Sequence, residues 1–218
     1  MIISEIYKNY RIPPHLQMHM YKVAAVAYLI SDNFKEDIDK ENIVAADLLH
    51  DMGNIIKFNL ELFPEFLEPE GYSFWENVQK EYINKYGDDE HIATTRIAKE
   101  ININHRISEL LESVGASRTK IILKSKDKAK WIANYADYRV APNGIVTLQE
   151  RLKDGRRRYL GNKGHHCVTL RKSHEIEKYS RILEKRIQKM TSIDLNTIED
   201  GTVSNIIEEL HNFNIDTQ

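Results

Sequence analysis

The 218-residue sequence predicts an all-α fold, a compact helical bundle followed by a helical C-terminal extension. Two features carry that expectation. Apolar residues recur at helical spacing in segment after segment, and no alternating stretch is long enough for a convincing strand. Along residues 14–30, His19, Val23, Val26 and Ile30 fall on one face. Asp39 is placed to cap a second helix in which Ile43, Ala46 and His50 share a face, with Gly53 as its stop. Residues 58–71 hold Pro64, Pro69 and Gly71 and read as a loop. Helices follow at about 73–86, 88–101, 105–114 and 127–140. After the turn APNG, Thr147 and Glu150 make a T-x-x-E capping box that opens another helix. Residues 173–190 set Ile176, Tyr179, Leu183, Ile187 and Met190 on one stripe, and 202–213 form a last short helix. Residues 1–160 then form the main domain, and 161–218 an extension that packs back on it or pairs with a second copy as a homodimer.

Composition narrows the function classes. Hydrophobic residues make up 41% and charged residues 29%, an ordinary balance for a soluble globular protein. A net charge of −2 gives no global field toward nucleic acid or an anionic membrane. Cys167 is the single cysteine, so no internal disulfide forms, and it reads as an inert thiol. No apolar run reaches the roughly 18 residues of a spanning helix, so no membrane partner is expected. The opening MIISEIYKNYRIPP lacks the basic start and apolar centre of a signal peptide, and a reducing cytoplasm is the expected location.

The stretch LLHDMGN, residues 48–54, sets His50 beside Asp51 where a helix enters the core. Such groups are unfavourable to bury without a partner. Successive helical residues diverge by about 100°, so they converge only on an object lying between them, as a divalent ion does. His19 faces inward in line with Val23 and Val26, and an inward histidine serves either as a satisfied core residue or as a ligand. In WIANYADYRV, Asp137 sits among small alanines that permit close helix approach.

His19, then His50-Asp51, then Asp137, in an all-helical chain, resembles the HD-domain superfamily of metal-dependent phosphohydrolases. The matching passages are PPHLQMHMYKVAAVA, IVAADLLHDMGN and YADYRVAPNGIVTLQERL, covering roughly residues 10–160. The resemblance implies that His19, His50, Asp51 and Asp137 hold one divalent ion between the central helices of a compact bundle. Two departures bear on this. Many dinuclear members carry a lysine where this chain has Asn54. They also carry two further histidines; His91 matches the first in setting, but VGASRTKIILK holds no second. A mononuclear site is therefore expected, with His91 contacting substrate or water; a second metal held weakly by His91 and a bridging Asp51 is the alternative.

Two imidazoles and two carboxylates leave positions for water and suit Mn²⁺, Co²⁺, Fe²⁺, Ni²⁺ or Zn²⁺, with Mg²⁺ also admissible. A bound ion brings water toward ionisation and polarises a phosphoryl oxygen, with Asp51 both ligand and water-positioning group. The expected substrate is a small phosphorylated metabolite, a nucleotide first among them, with Asn54, Lys57 and Arg96 as candidate contacts. From Arg151 to Lys172 the chain has eight Lys or Arg against one acid, Asp154. That run reads either as a solvated face or as a polyanion contact with Tyr159 for stacking. Gly155, Gly161 and Gly164 suggest a flap there, and His165 and His166 read as surface residues. A nuclease, a cyclic-dinucleotide phosphodiesterase, a di-iron oxygenase of the same fold and a non-catalytic binding module remain alternatives; nucleic acid ranks behind a small substrate as partner.

Overall fold

The structure is a computed structural model that describes residues 1–62, 64–160 and 168–217. Gly161, Gly164, His165, His166 and Cys167 lie outside the described residues. Among the described residues the chain is all-α: α1 (Ile3–Asn9), α2 (Pro14–Asp32), α3 (Lys40–Leu49), α4 (Tyr72–Tyr86), α5 (Glu90–Ile101) and α6 (His105–Leu111) come first. Then follow α7 (Thr119–Ile122), α8 (Lys128–Tyr138), α9 (Leu148–Tyr159), α10 (Leu170–Met190) and α11 (Asp200–Leu210). The one sheet among these residues is a two-residue antiparallel hairpin, β1 (Val140–Ala141) with β2 (Gly144–Ile145), pairing Val140 with Ile145.

The central helix is α2. Pro14 starts it with a preset φ and no wasted donor. Its inward residues Met20, Val23, Ala24, Val26, Ala27 and Ile30 are fully buried. The small side chains let α3 and α8 pack close on either side, while α11 covers a further face. Asn104 and Asp127 cap α6 and α8, accepting from Ile107 N and Ala129 N. The Thr147–Glu150 box forms in full at the start of α9.

Three local readings change. Asp39 stands at the N-cap position of α3, but its carboxylate accepts from Asn42 and Arg106 rather than from a helix N–H. Gly53 does not stop α3, which ends at Leu49 with His50 as its cap. Its small size matters instead, because a Cβ there would meet the Glu90 carbonyl, with Ala93 Cβ at 2.7 Å and Thr94 N at 2.8 Å. Finally, α1 and α7 were not foreseen; at seven and four residues they are too short to display a helical period.

Within the stripe on α10, Leu183 and Ile187 are fully buried, and the helix packs on α7 and α8. The two ends of the chain meet: Ile3 N donates to Phe213 O at 3.0 Å and Ile215 N to Met1 O at 2.8 Å. Arg139, 1% exposed, donates to the carbonyls of Val146, Leu195 and Ile198, joining the end of α8 to the hairpin and the C-terminal segment. No helix among the described residues is long and apolar enough to cross a membrane.

Candidate metal centre

Three helices bring the candidate ligands together. His19 projects from the middle of α2, flanked along the helix by buried Met20 and Val23. His50 caps α3 and Asp51 opens the turn after it, so the two are freed from a regular helix just where they must converge. Asp137 projects from the last turn of α8. The backbone that carries them is fixed by polar contacts. The Tyr7 hydroxyl donates to Leu48 O, one of the carbonyls left open at the end of α3. On α8, Asn134 donates to Ser113 O and Gly115 O at 2.8 Å and accepts from the Thr119 hydroxyl at 3.0 Å.

The donor geometry of His19, His50 and Asp51 can hold an ion, with Asp137 close by. His19 Nε2 lies 3.6 Å from Asp51 Oδ2 and 3.5 Å from Asp137 Oδ1. His50 Nε2 lies 3.6 Å and 3.8 Å from the same two atoms. These separations are long for hydrogen bonds. They approach the roughly 3.4 Å between neighbouring ligands of a tetrahedral ion with bonds of about 2.1 Å. His19, His50 and Asp51 place their donors within 4.8 Å of one another and can hold a metal ion; Asp137 Oδ1 lies beside both imidazoles but outside that three-residue group.

His50 supplies the sharpest observation. Its Nδ1 lies 2.7 Å from the Asp47 carbonyl, which accepts only from the Nδ1–H tautomer. That leaves a lone pair on Nε2, which is buried and has no hydrogen-bond partner among the described residues. A backbone carbonyl orienting one ring nitrogen while the other awaits an electrophile is the arrangement of a metal-ligating histidine. The His50 side chain is 3% exposed, whereas His19, Asp51 and Asp137 are 21%, 20% and 24% exposed, so the cluster is closed beneath and open on one side.

Electrostatics separate two carboxyls here. Burial would raise Asp137, but the His19 imidazole beside it, with His50 and the Arg151 guanidinium nearby, holds it well below the usual carboxylate range. Asp47, fully buried one turn before Asp51, is pushed well above that range by burial and then by the charge of Asp137. Neither of its carboxylate oxygens has a hydrogen-bond partner among the described residues.

The remaining candidates lie apart from this donor group or are engaged elsewhere. His91 sits in the first turn of α5 with a 68% exposed side chain, its ring 3.9 Å from Glu90. Lys57 pairs with the same Glu90 at 3.5 Å, and Arg96 donates to Tyr86 O at 2.9 Å. Asn54 is buried and begins a short 3-10 turn, Asn54–Lys57, directly after the His50–Asp51 turn. In the basic run, Arg156 pairs with Glu177, while Arg157 and Arg158 pair with Asp154. Two residues went unnoticed in the sequence. Asp47 looked like one more polar residue on a helix, and Arg151 was counted only as part of the basic run. The cue for Arg151 was its place in the first turn after the capping box, a short hairpin away from Asp137.

No protein-family model, curated protein or solved structure matches this chain.

Proposed function

We propose that this chain is an HD-domain protein acting as a metal-dependent phosphohydrolase on a small phosphorylated metabolite. The observation that carries the reading is His50, tautomer-locked by the Asp47 carbonyl, with Nε2 buried and unpartnered against two carboxylates and a second imidazole. Packing gives no account of that atom; a cation does. When bound, a divalent ion of the Mn²⁺, Co²⁺, Fe²⁺, Ni²⁺ or Zn²⁺ type supplies a Lewis acid and water activation. His19, His50, Asp51 and Asp137 would hold it. Asp51 and Asp137, each about one-fifth to one-quarter exposed, face the open side and are placed to orient a water against an incoming phosphoryl group.

Metal analysis of the purified chain, followed by assay on phosphomonoesters, nucleotides, cyclic dinucleotides and single-stranded nucleic acid, tests the reading. About one tightly held ion per chain is expected, because four clear ligands support one site. His50→Ala and Asp51→Ala should each empty it and lower turnover by more than the roughly 10–100-fold typical of outer-sphere changes. Full metal content in the double variant would reject the site. Two irons per chain with oxidative turnover would reject the hydrolytic assignment.

A further inference from the structure

A cavity of about 130 Å³ opens beside the metal centre, between α8, α9 and α10. Asp137 forms part of its wall, so the cavity and the metal centre share a side chain. Arg151, Leu152, Arg156, Tyr159 and Ile176 contribute much of the remainder. The two arginines differ. Arg156 is matched by Glu177. Arg151 is only 22% exposed, and its Nε is buried with no hydrogen-bond partner among the described residues. Of its carboxylate neighbours, Asp137 shares the cavity wall, and Asp154 is 3.9 Å away, beyond hydrogen-bonding reach, and also serves Arg157 at 3.4 Å and Arg158 at 2.8 Å.

A largely buried guanidinium with an unfilled donor, lining the same cavity as the candidate metal ligand Asp137, is arranged for an anionic ligand. A guanidinium takes two phosphoryl oxygens in its planar fork, which a lysine cannot do. Leu152 and Ile176 add apolar lining to the same cavity, and Tyr159 offers an aromatic ring. Its volume is well under the roughly 300–1,000 Å³ of pockets that enclose drug-sized ligands. A single base ring fits inside it, and the two bases of a dinucleotide do not.

We propose that Arg151 is a substrate-binding residue, its guanidinium holding the phosphoryl group of a nucleoside monophosphate whose ring lies between Leu152, Tyr159 and Ile176. This rests on the phosphohydrolase reading of the metal centre. The test uses the full chain loaded with Mn²⁺, titrated calorimetrically with inorganic phosphate and with a non-hydrolysable nucleoside 5′-phosphonate. The phosphonate should bind at least roughly tenfold more tightly than phosphate, through ring stacking. Arg151→Gln should weaken both by roughly tenfold or more at unchanged metal content, and Arg151→Lys should recover part of the loss. Leu152→Ala, on the apolar lining, should weaken the phosphonate alone and tests the ring contact if Arg151→Gln fails to fold. Equal affinities in wild type and Arg151→Gln, or a phosphonate no tighter than phosphate, would overturn the proposal. If wild type binds both ligands in an Arg151-dependent way but cleaves no phosphoester, the phosphohydrolase reading falls and the nucleotide site stands.

Discussion

Burial acts on Asp47 and Asp137 in the same direction, yet the two carboxyls end on opposite sides of the ordinary range because only Asp137 has positive neighbours. Asp47 has none among the described residues, where its oxygens are also unpartnered. In the metal-free protein it is therefore held protonated well above its unfolded pKa of about 3.9. The native state then binds more protons than the unfolded state, so this group makes stability fall as pH rises from about 4 toward the raised native pKa, by up to about 1.4 kcal/mol per pH unit. Asp47→Asn removes the titration. Measured in chelator, its melting temperature relative to wild type should climb between pH 4 and pH 8. A difference that stays flat across that window would show that Asp47 ionises freely. Asp137 should behave differently: Asp137→Ala should release metal and abolish turnover, with elemental analysis as the readout.

At the scale of elements, the site depends on how closely the turn after α3 approaches α5. Gly53 N donates to the Thr94 hydroxyl at 2.9 Å, and the space for a side chain at Gly53 is already taken by the backbone of Glu90 and Thr94. Backbone cannot swing aside as a flexible side chain can, so Gly53→Ala must push the turn off α5. Overpacking of this kind costs about 1–3 kcal/mol. Because His50 and Asp51 lie on the same turn, metal affinity should drop with it; thermal melting and a metal titration of Gly53→Ala check both. Unaltered metal affinity would mean that the turn holds its shape without α5. This element also marks the limit of what the sequence reveals. The periodicity of α2, α3 and α8 placed His19, His50 and Asp137 on inward faces, and the capping box at Thr147 was visible as written. The role of Gly53 was not, since a glycine after a helix has the same appearance whether it ends that helix or admits a neighbour. Arg151 was hidden for a similar reason, because its partner wall on α10 lies far along the chain and no local pattern pairs them.

The described residues are tied together by long-range contacts that converge on the helices bearing the candidate ligands. α11 packs on α2, which carries His19, and Lys22 on α2 pairs with Asp200 at 2.6 Å. The chain ends are bonded to each other around Ile3, Phe213 and Ile215. Arg139 stands at the junction, two residues past Asp137, as a buried charge with no carboxylate hydrogen-bonded to it among the described residues, satisfied by three carbonyls and the Tyr135 hydroxyl. Arg139→Met keeps much of the volume but strips those carbonyls of their donor. Each orphaned buried acceptor costs about 1–3 kcal/mol, so a loss of about 3 kcal/mol or more is expected. The contacts also predict how that loss should look. If the C-terminal segment and the bundle form one cooperative unit, urea unfolding of Arg139→Met should remain a single transition, with Trp75 and Trp131 fluorescence coinciding with circular dichroism and the slope unchanged. Metal affinity should fall in parallel, because the end of α8 that positions Asp137 is anchored by the same guanidinium. An early transition confined to residues 191–217, with metal binding intact, would instead show that the C-terminal segment is an accessory layer on which the site does not depend.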